Sequence, residues 1–165
     1  MDPGRHEHFM RLALQEARRA AEAGEVPTGC VIIRPDPDDP ARPAALLGKA
    51  HNQVEQLRDP TAHAEILAIT QAATALRDWR LTDTVLYVTK EPCAMCAGAI
   101  VLARVRLVVF GATDVRRGGA VSVFNILNHP ALNHRCEVVS GVLADECADT
   151  LRGFFRESRS GAETV

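Results

Sequence analysis

Two short stretches decide how this chain is read: Asp59-Pro60-Thr61-Ala62-His63-Ala64-Glu65 and, a strand further on, Glu91-Pro92-Cys93-Ala94-Met95-Cys96. An imidazole and two thiols are zinc ligands by type, since Zn²⁺ favours nitrogen and thiolate sulfur. A structural zinc site is closed by a fourth protein ligand, whereas a catalytic one keeps a position for water. No fourth ligand stands at motif spacing. Glu65, next to the histidine, is the wrong type to complete a soft thiolate site and the right type to carry protons for such a water. The pattern points to hydrolysis.

Local signals predict how these residues are held. Asp59-Pro60-Thr61 ahead of Ile66, Leu67, Ile69 and Ala73 reads as a helix start, with Thr61 as N-cap and His63 in the first turn. Val85 to Val88 reads as a strand, Glu91-Pro92 as a turn, and Pro92 as the first residue of a second helix that carries Cys93 and Cys96 on one face. Partial positive charge at a helix start lowers thiol pKa values, so both cysteines are expected as thiolates. On a regular helix, residues two apart point roughly 200° from each other. His63 and Glu65 therefore have to straddle the first turn, with the glutamate reaching round.

Working outward, 165 residues form one domain, 1–165, with a core over about 5–156 and a tail at 157–165. The formal charge of −2 argues against a broadly basic nucleic-acid binder, so RNA contact has to come from local patches. Five cysteines is an odd number. Beyond Cys93 and Cys96, the scattered Cys30, Cys136 and Cys147 read as small core residues in a reducing compartment rather than as a disulfide framework. No apolar run is long enough to span a bilayer, and Met1-Asp2-Pro3-Gly4-Arg5 lacks the basic-then-apolar order of a signal peptide, so a cytoplasmic location is expected.

Apolar residues at three and four predict a helix over about 5–23 ended by Gly24. Strands are expected at 28–34, 44–50, 85–88, 107–110 and 137–140, and a last helix at about 145–156. The first strand does not alternate and should be buried on both faces. Prolines and aspartates make 35–43 an exposed loop tip. Strands alternating with helices imply an α/β sandwich, a central sheet covered on both sides.

At this length of pattern the chain resembles a known family, the zinc-dependent nucleoside and nucleobase deaminases. Its His63-Ala64-Glu65 and Pro92-Cys93-x-x-Cys96 are shared with cytidine, deoxycytidylate and guanine deaminases. Longer runs resemble the tRNA-specific adenosine deaminases within it: Glu25-Val26-Pro27, Asn52, Asp59 to Glu65, Leu86 to Ile100, Val109 to Asp114, Leu132 to His134, and Gly141 to Cys147 with Phe154-Phe155. The proline-rich 35–43, Val121-Ser122-Val123-Phe124 and a C-terminus without lysines depart from that pattern.

The resemblance implies a cytidine deaminase-like fold: a three-layer α/β/α sandwich with a central mixed five-stranded sheet. It further implies one Zn²⁺ per subunit on His63, Cys93 and Cys96, Glu65 as the catalytic acid–base, and hydrolysis of adenosine to inosine at the wobble position of a tRNA anticodon stem-loop. Asn52 is placed to bond the flipped base and Asp114 to meet the ribose. Arg116, Arg117, Arg152, Arg156 and Arg159 are possible phosphate contacts, and a homodimer is implied. The rival readings are a deaminase of a free base or nucleotide, a thiol-disulfide enzyme, and a zinc-stabilised RNA-binding module whose fourth ligand would be Cys30, His51 or Cys136. Of the other histidines, His6, His8, His51 and His129 read as solvent-facing or hydrogen-bonded rather than as ligands, and His134 as structural or nucleotide-binding.

Overall fold

The structure, a computed structural model, describes residues 3–39 and 42–162, with side chains as far as Ser158. Helix α1 (Pro3–Glu22) turns one stripe inward, including Phe9, Met10, Ala13, Leu14 and Ala17. It closes at Gly24, whose φ of +76° is the left-handed conformation in which glycine is least strained. The chain then enters β1 (Gly29–Arg34) and returns as β2 (Ala45–His51). A short α2 (Val54–Leu57) and α3 (Ala64–Leu76) lead to β3 (Val85–Lys90), α4 (Ala94–Leu102) and β4 (Leu107–Ala112). A long connection of turns joins β4 to β5 (Glu137–Ser140), and α5 (Ala144–Ala162) follows.

The five strands lie in the order β2-β1-β3-β4-β5. β1 is antiparallel to both neighbours, while β3, β4 and β5 run parallel, so the sheet is mixed. Its two faces feed separate cores. Cys30, Ile32, Leu86, Val88, Val108 and Phe110 pack on α3 and α4. Val31, Ile33, Val85, Tyr87 and Val109 pack on α1 and on Cys147 of α5. This is the three-layer α/β/α sandwich, and the non-alternating β1 is buried on both faces as its composition predicts. Each buried branched side chain contributes about 1.5–3 kcal/mol.

Several details differ from the sequence reading. Thr61 is not the N-cap of α3: Asp59 Oδ1 accepts both the Thr61 N–H and the Thr61 hydroxyl, so the hydroxyl is held in a turn ahead of the helix. His63 takes the cap position. Likewise Pro92 lies one residue before the cap of α4, which is Cys93. On α3 the buried apolar positions are Ala64, Ala68 and Ala72, with Ile66, Leu67 and Ile69 only half-buried. The cause is close approach, because a Cβ on Gly48 of β2 would meet the Ala68 carbonyl oxygen at 2.6 Å. The last helix continues to Ala162, past Arg156, so the first part of the expected tail is helical. Of the proline-rich loop, 40 and 41 lie outside the described residues, and its exposed Arg42 pairs with Asp36 at 3.0 Å.

Candidate active site

His63 and Cys93 occupy equivalent places. Each is the N-cap of its helix with extended backbone (φ −77°, ψ 152° and φ −71°, ψ 173°), and neither side chain bonds back to cap the helix. Both side chains are free to turn towards each other. Cys93 Sγ lies 3.7 Å and Cys96 Sγ 3.5 Å from His63 Nδ1. The three ligand atoms fall within 4.8 Å of one another, and among the described residues no other His, Cys, Asp or Glu joins them. Cys30, His51 and Cys136 are thus not a fourth ligand, which removes the closed structural zinc site. The Cys96 thiol and then His63 stabilise a Cys93 thiolate, with a pKa pulled down to about 3. The Cys93 thiolate and burial push Cys96 the other way, so that the two thiols share one proton between them.

Glu65 comes next on α3, 3% exposed. Because His63 is outside the helix, the helical angle between the two residues does not apply, and the demand that they straddle the first turn is met by the cap. Burial raises the Glu65 pKa, with its own backbone N–H acting against that shift. Its Oε2 is buried without a hydrogen-bond partner. An orphaned carboxylate oxygen of this kind costs about 1–3 kcal/mol or more. Two sulfurs and an imidazole nitrogen within 4.8 Å of one another would suit a soft-ligand metal ion, and the buried acid beside them is of the type that would move protons for it.

The surrounding cavity, about 450 Å³, is lined among others by Asn52, His63, Glu65, Cys93, Asp114 and Arg117. Asn52 Oδ1 accepts the Ala64 N–H at 2.9 Å, which fastens the start of α3 in place of a side-chain cap and leaves the Asn52 amide group as donor. Asp114 is also engaged. Its Oδ1 accepts the Arg116 and Arg117 N–H groups at 3.0 and 3.1 Å, and Lys90 Nζ lies 2.6 Å from Oδ2. Burial opposes ionisation of Asp114, but the Lys90 ammonium and these N–H groups outweigh it and hold the pKa low.

Three residues of the wall had no site role in the sequence reading, although Glu25 stands in the Glu25-Val26-Pro27 run and Lys90 and Glu91 in the Leu86 to Ile100 run that carry the family resemblance. Glu25, 1% exposed, accepts the Glu55 and Gln56 N–H groups at 3.2 and 2.8 Å and so starts α2. Glu91 accepts N–H groups from Asp114, Val121 and Ser122 at 2.9, 2.8 and 2.9 Å, together with the Ser122 hydroxyl. Burial alone would raise its pKa, and these bonds hold it below the usual carboxylate range. Glu91 and the Gly119 N–H to Pro92 oxygen bond of 2.7 Å sew the segment after β4 to the start of α4, where Cys93 and Cys96 stand. A Cβ on Gly118 would sit 2.4 Å from the Glu91 carboxyl carbon, so a side chain there would have to push the carboxylate off its donors. Lys90 is the third. No spacing signal marks any of them, because their partners are distant in sequence.

The predicted arginines divide. Arg117 lines the catalytic cavity, whereas Arg116, Arg152 and Arg156 line a larger groove of about 820 Å³ with Phe155. That groove holds none of the metal-site residues, and the chemistry belongs to the smaller cavity. The Arg159 side chain lies outside the described residues. His134 Nε2 donates to the Val105 carbonyl at 2.8 Å, a structural role. His6, His51 and His129 are hydrogen-bonded to Tyr87, Glu16 and the Ala131 N–H. Cys30, Cys136 and Cys147 are buried and free.

A soft-ligand metal site beside an acid that is not a ligand is the equipment of a metal-dependent hydrolase, and the fold narrows this to the deaminase class. Residues 4–159 match the MafB19-like deaminase family model. A tRNA-specific adenosine deaminase of Aquifex aeolicus (strain VF5) is 47% identical over 154 residues, covering 93% of this chain and 96% of the relative. One of Bacillus subtilis (strain 168) is 46% identical over 153 residues, covering 93% and 90%. A solved structure from work on A-to-I editing by tRNA:A34 deaminases at the wobble position superposes with a TM-score of 0.79 at 41% identity, over 87% of this chain and 99% of that one. The guanine deaminase of Bacillus subtilis superposes with a TM-score of 0.59 at 30% identity, over 97% and 95%. The chain belongs to the deaminase family and, within it, to the tRNA-specific adenosine deaminases.

Proposed function

We propose that this protein hydrolyses adenosine to inosine at the wobble position of a tRNA anticodon, with one Zn²⁺ per subunit held by His63, Cys93 and Cys96. The observation that carries this reading is the unpartnered Glu65 Oε2 beside three convergent soft ligands. Bound zinc supplies a Lewis acid that makes water a nucleophile near neutral pH. Glu65 moves the protons: it takes one from the attacking water, gives one to the purine ring nitrogen, and assists the amino group to leave as ammonia. Water adds, ammonia departs, and no redox partner is needed. Burial, which raises the Glu65 pKa, brings this acid closer to working pH.

The target base has to leave its stack to reach the cavity, at a cost of a few kcal/mol that an anticodon loop keeps low. The free Asn52 amide is the donor for the base. Asp114 faces the ribose, where a bond to the 2′-hydroxyl favours RNA. Arg117, with Arg116, Arg152 and Arg156 on the neighbouring groove, meets backbone phosphate. The chain acts as a cytoplasmic homodimer, and the exposed Met95, Leu102, Val123 and Phe124 are the kind of apolar surface a second subunit covers. Among the described residues no helix is long and apolar enough to cross a membrane.

The test is to incubate the zinc-loaded protein with an RNA anticodon stem-loop and, separately, with adenosine, guanine and cytosine, reading inosine and ammonia. Inosine in the stem-loop, with free bases and nucleoside untouched, is the expected result. Turnover of guanine or cytosine with none on RNA would replace this reading with a free-base deaminase, the activity named for the Bacillus subtilis structural neighbour.

A further inference from the structure

The charge on the wall of the catalytic cavity does not suit a polyanion. Glu25, Glu55, Glu65, Glu91 and Asp114 all contribute to it, and the only lysine or arginine side chains on it among the described residues are Lys90 and Arg117. Three of those acids, Glu25, Glu91 and Asp114, accept backbone N–H groups, which lowers their cost within the protein. A nucleotide entering with its flanking phosphates needs counter-charge inside the cavity, where the low dielectric makes each unpaired charge expensive.

Lys90 is built to supply it. It is the last residue of β3, three before Cys93, so the sheet fixes its backbone at the cavity. Its ammonium has three donors. One meets Asp114 Oδ2 at 2.6 Å, and the side chain remains 24% exposed, on the cavity side. Asp114 Oδ1 is occupied by the Arg116 and Arg117 N–H groups. The carboxylate is therefore held still, and the lysine on it lines the cavity with donors beyond the one it gives to Asp114. A surface ion pair would need no such enclosure.

We infer that Lys90 is a substrate-binding residue: it bridges Asp114 to the phosphate flanking the target nucleotide, so that one ammonium both neutralises the cavity acid and docks the RNA backbone. This rests on the RNA-deaminase reading above. It makes phosphate recognition a property of the catalytic cavity itself as well as of the arginine groove beside it.

The experiment measures binding of a labelled RNA anticodon stem-loop by fluorescence anisotropy across a salt series, using the zinc-loaded, catalytically silent Glu65→Gln protein as parent. Lys90→Met in that background is expected to weaken binding roughly tenfold, the loss of one charge-assisted bond. The slope of log K against log salt should become shallower by about 0.7, the value for one phosphate contact on a single strand. Lys90→Arg should keep most of the affinity and the slope. Asp114→Asn, with and without Lys90→Met, separates the two tasks. If Lys90 docks phosphate, the loss and the slope change persist when Asp114 no longer needs neutralising. If they vanish there, Lys90 is only the counter-ion of Asp114 and the inference is overturned, as it is if Lys90→Met matches the parent throughout. Thermal melts identify any variant that fails to fold, for which Lys90→Gln is substituted. A parent that does not bind the stem-loop at all removes the RNA reading and Lys90's role with it, whereas a binding parent indifferent to Lys90 removes the second alone.

Discussion

Glu65, on the floor of the catalytic cavity, and Glu91, on its wall, are both almost wholly excluded from solvent, at 3% and 2%. Each is two residues from a metal-ligand position, yet their surroundings are opposite. Glu91 is surrounded by donors, three N–H groups and a hydroxyl, and it joins the segment after β4 to the start of α4. Glu65 keeps an oxygen with no partner. A buried carboxylate whose lone pairs are satisfied builds structure, while one left short of partners retains the capacity to handle a proton. Floor and wall are thus separable: the floor carries chemistry at a cost in stability, and the wall carries stability and places Asp114.

The largest effect should come from emptying the floor. Chelation is expected to abolish turnover and leave the far-ultraviolet circular dichroism intact, since neither hydrophobic core includes His63, Cys93 or Cys96. Zinc should restore activity and magnesium should not, because thiolate ligands select against a hard cation. Unfolding on chelation would make the site structural. Next, Glu65→Gln should lower the rate on a stem-loop by about 10²–10⁴, the range for loss of a general acid–base. Its melting temperature should not fall, because the substitution keeps the shape of the side chain and removes the ionised form of a buried group whose Oε2 has no hydrogen-bond partner.

The wall should respond the other way. Glu91→Ala leaves several N–H groups without acceptors and is expected to cost about 2–4 kcal/mol in urea unfolding. Zinc affinity should drop less than stability. An unchanged unfolding midpoint would show that these bonds are replaceable by solvent. The smallest effect is at Asp114. Its folded-state pKa lies below the unfolded value, so its ion pair contributes stability above about pH 3.9, and that contribution is lost as pH falls through the folded pKa. Asp114→Asn should remove only this acid-sensitive part, on the order of 1 kcal/mol or less for a partly exposed pair. Melting curves of the two proteins should converge in acid; curves that stay parallel would deny the linkage.

The same contrast explains what was legible in the sequence. The floor could be read because metal chemistry restricts residue type and spacing: His63 with Glu65, and Cys93 with Cys96, form two short motifs that each announce themselves locally. So could the layered fold, from runs such as Cys30 to Ile33 and Val85 to Val88 that suit only a strand covered on both faces. The wall could not. Glu91 meets Val121 and Ser122 some thirty positions on, and Lys90 meets Asp114 across the β3–β4 pair. Nothing in either neighbourhood marks those meetings. Boundaries failed for a related reason. Thr61 has the chemistry of a cap, but the nearby Asp59 takes its hydroxyl first, and that shift of two residues is what puts His63 at the helix end with its ring free. The arginines read as one group because sequence proximity hides that Arg116 and Arg117 open into different cavities.

Everything said of the floor depends on a metal held by three side chains with the acid left off it. X-ray absorption at the zinc edge of the loaded protein counts those ligands directly. The account predicts two sulfurs and two light atoms, one of them the His63 nitrogen, with the spectrum unchanged in Glu65→Gln. A third sulfur, or a first shell that loses an oxygen when Glu65 is replaced, would contradict it.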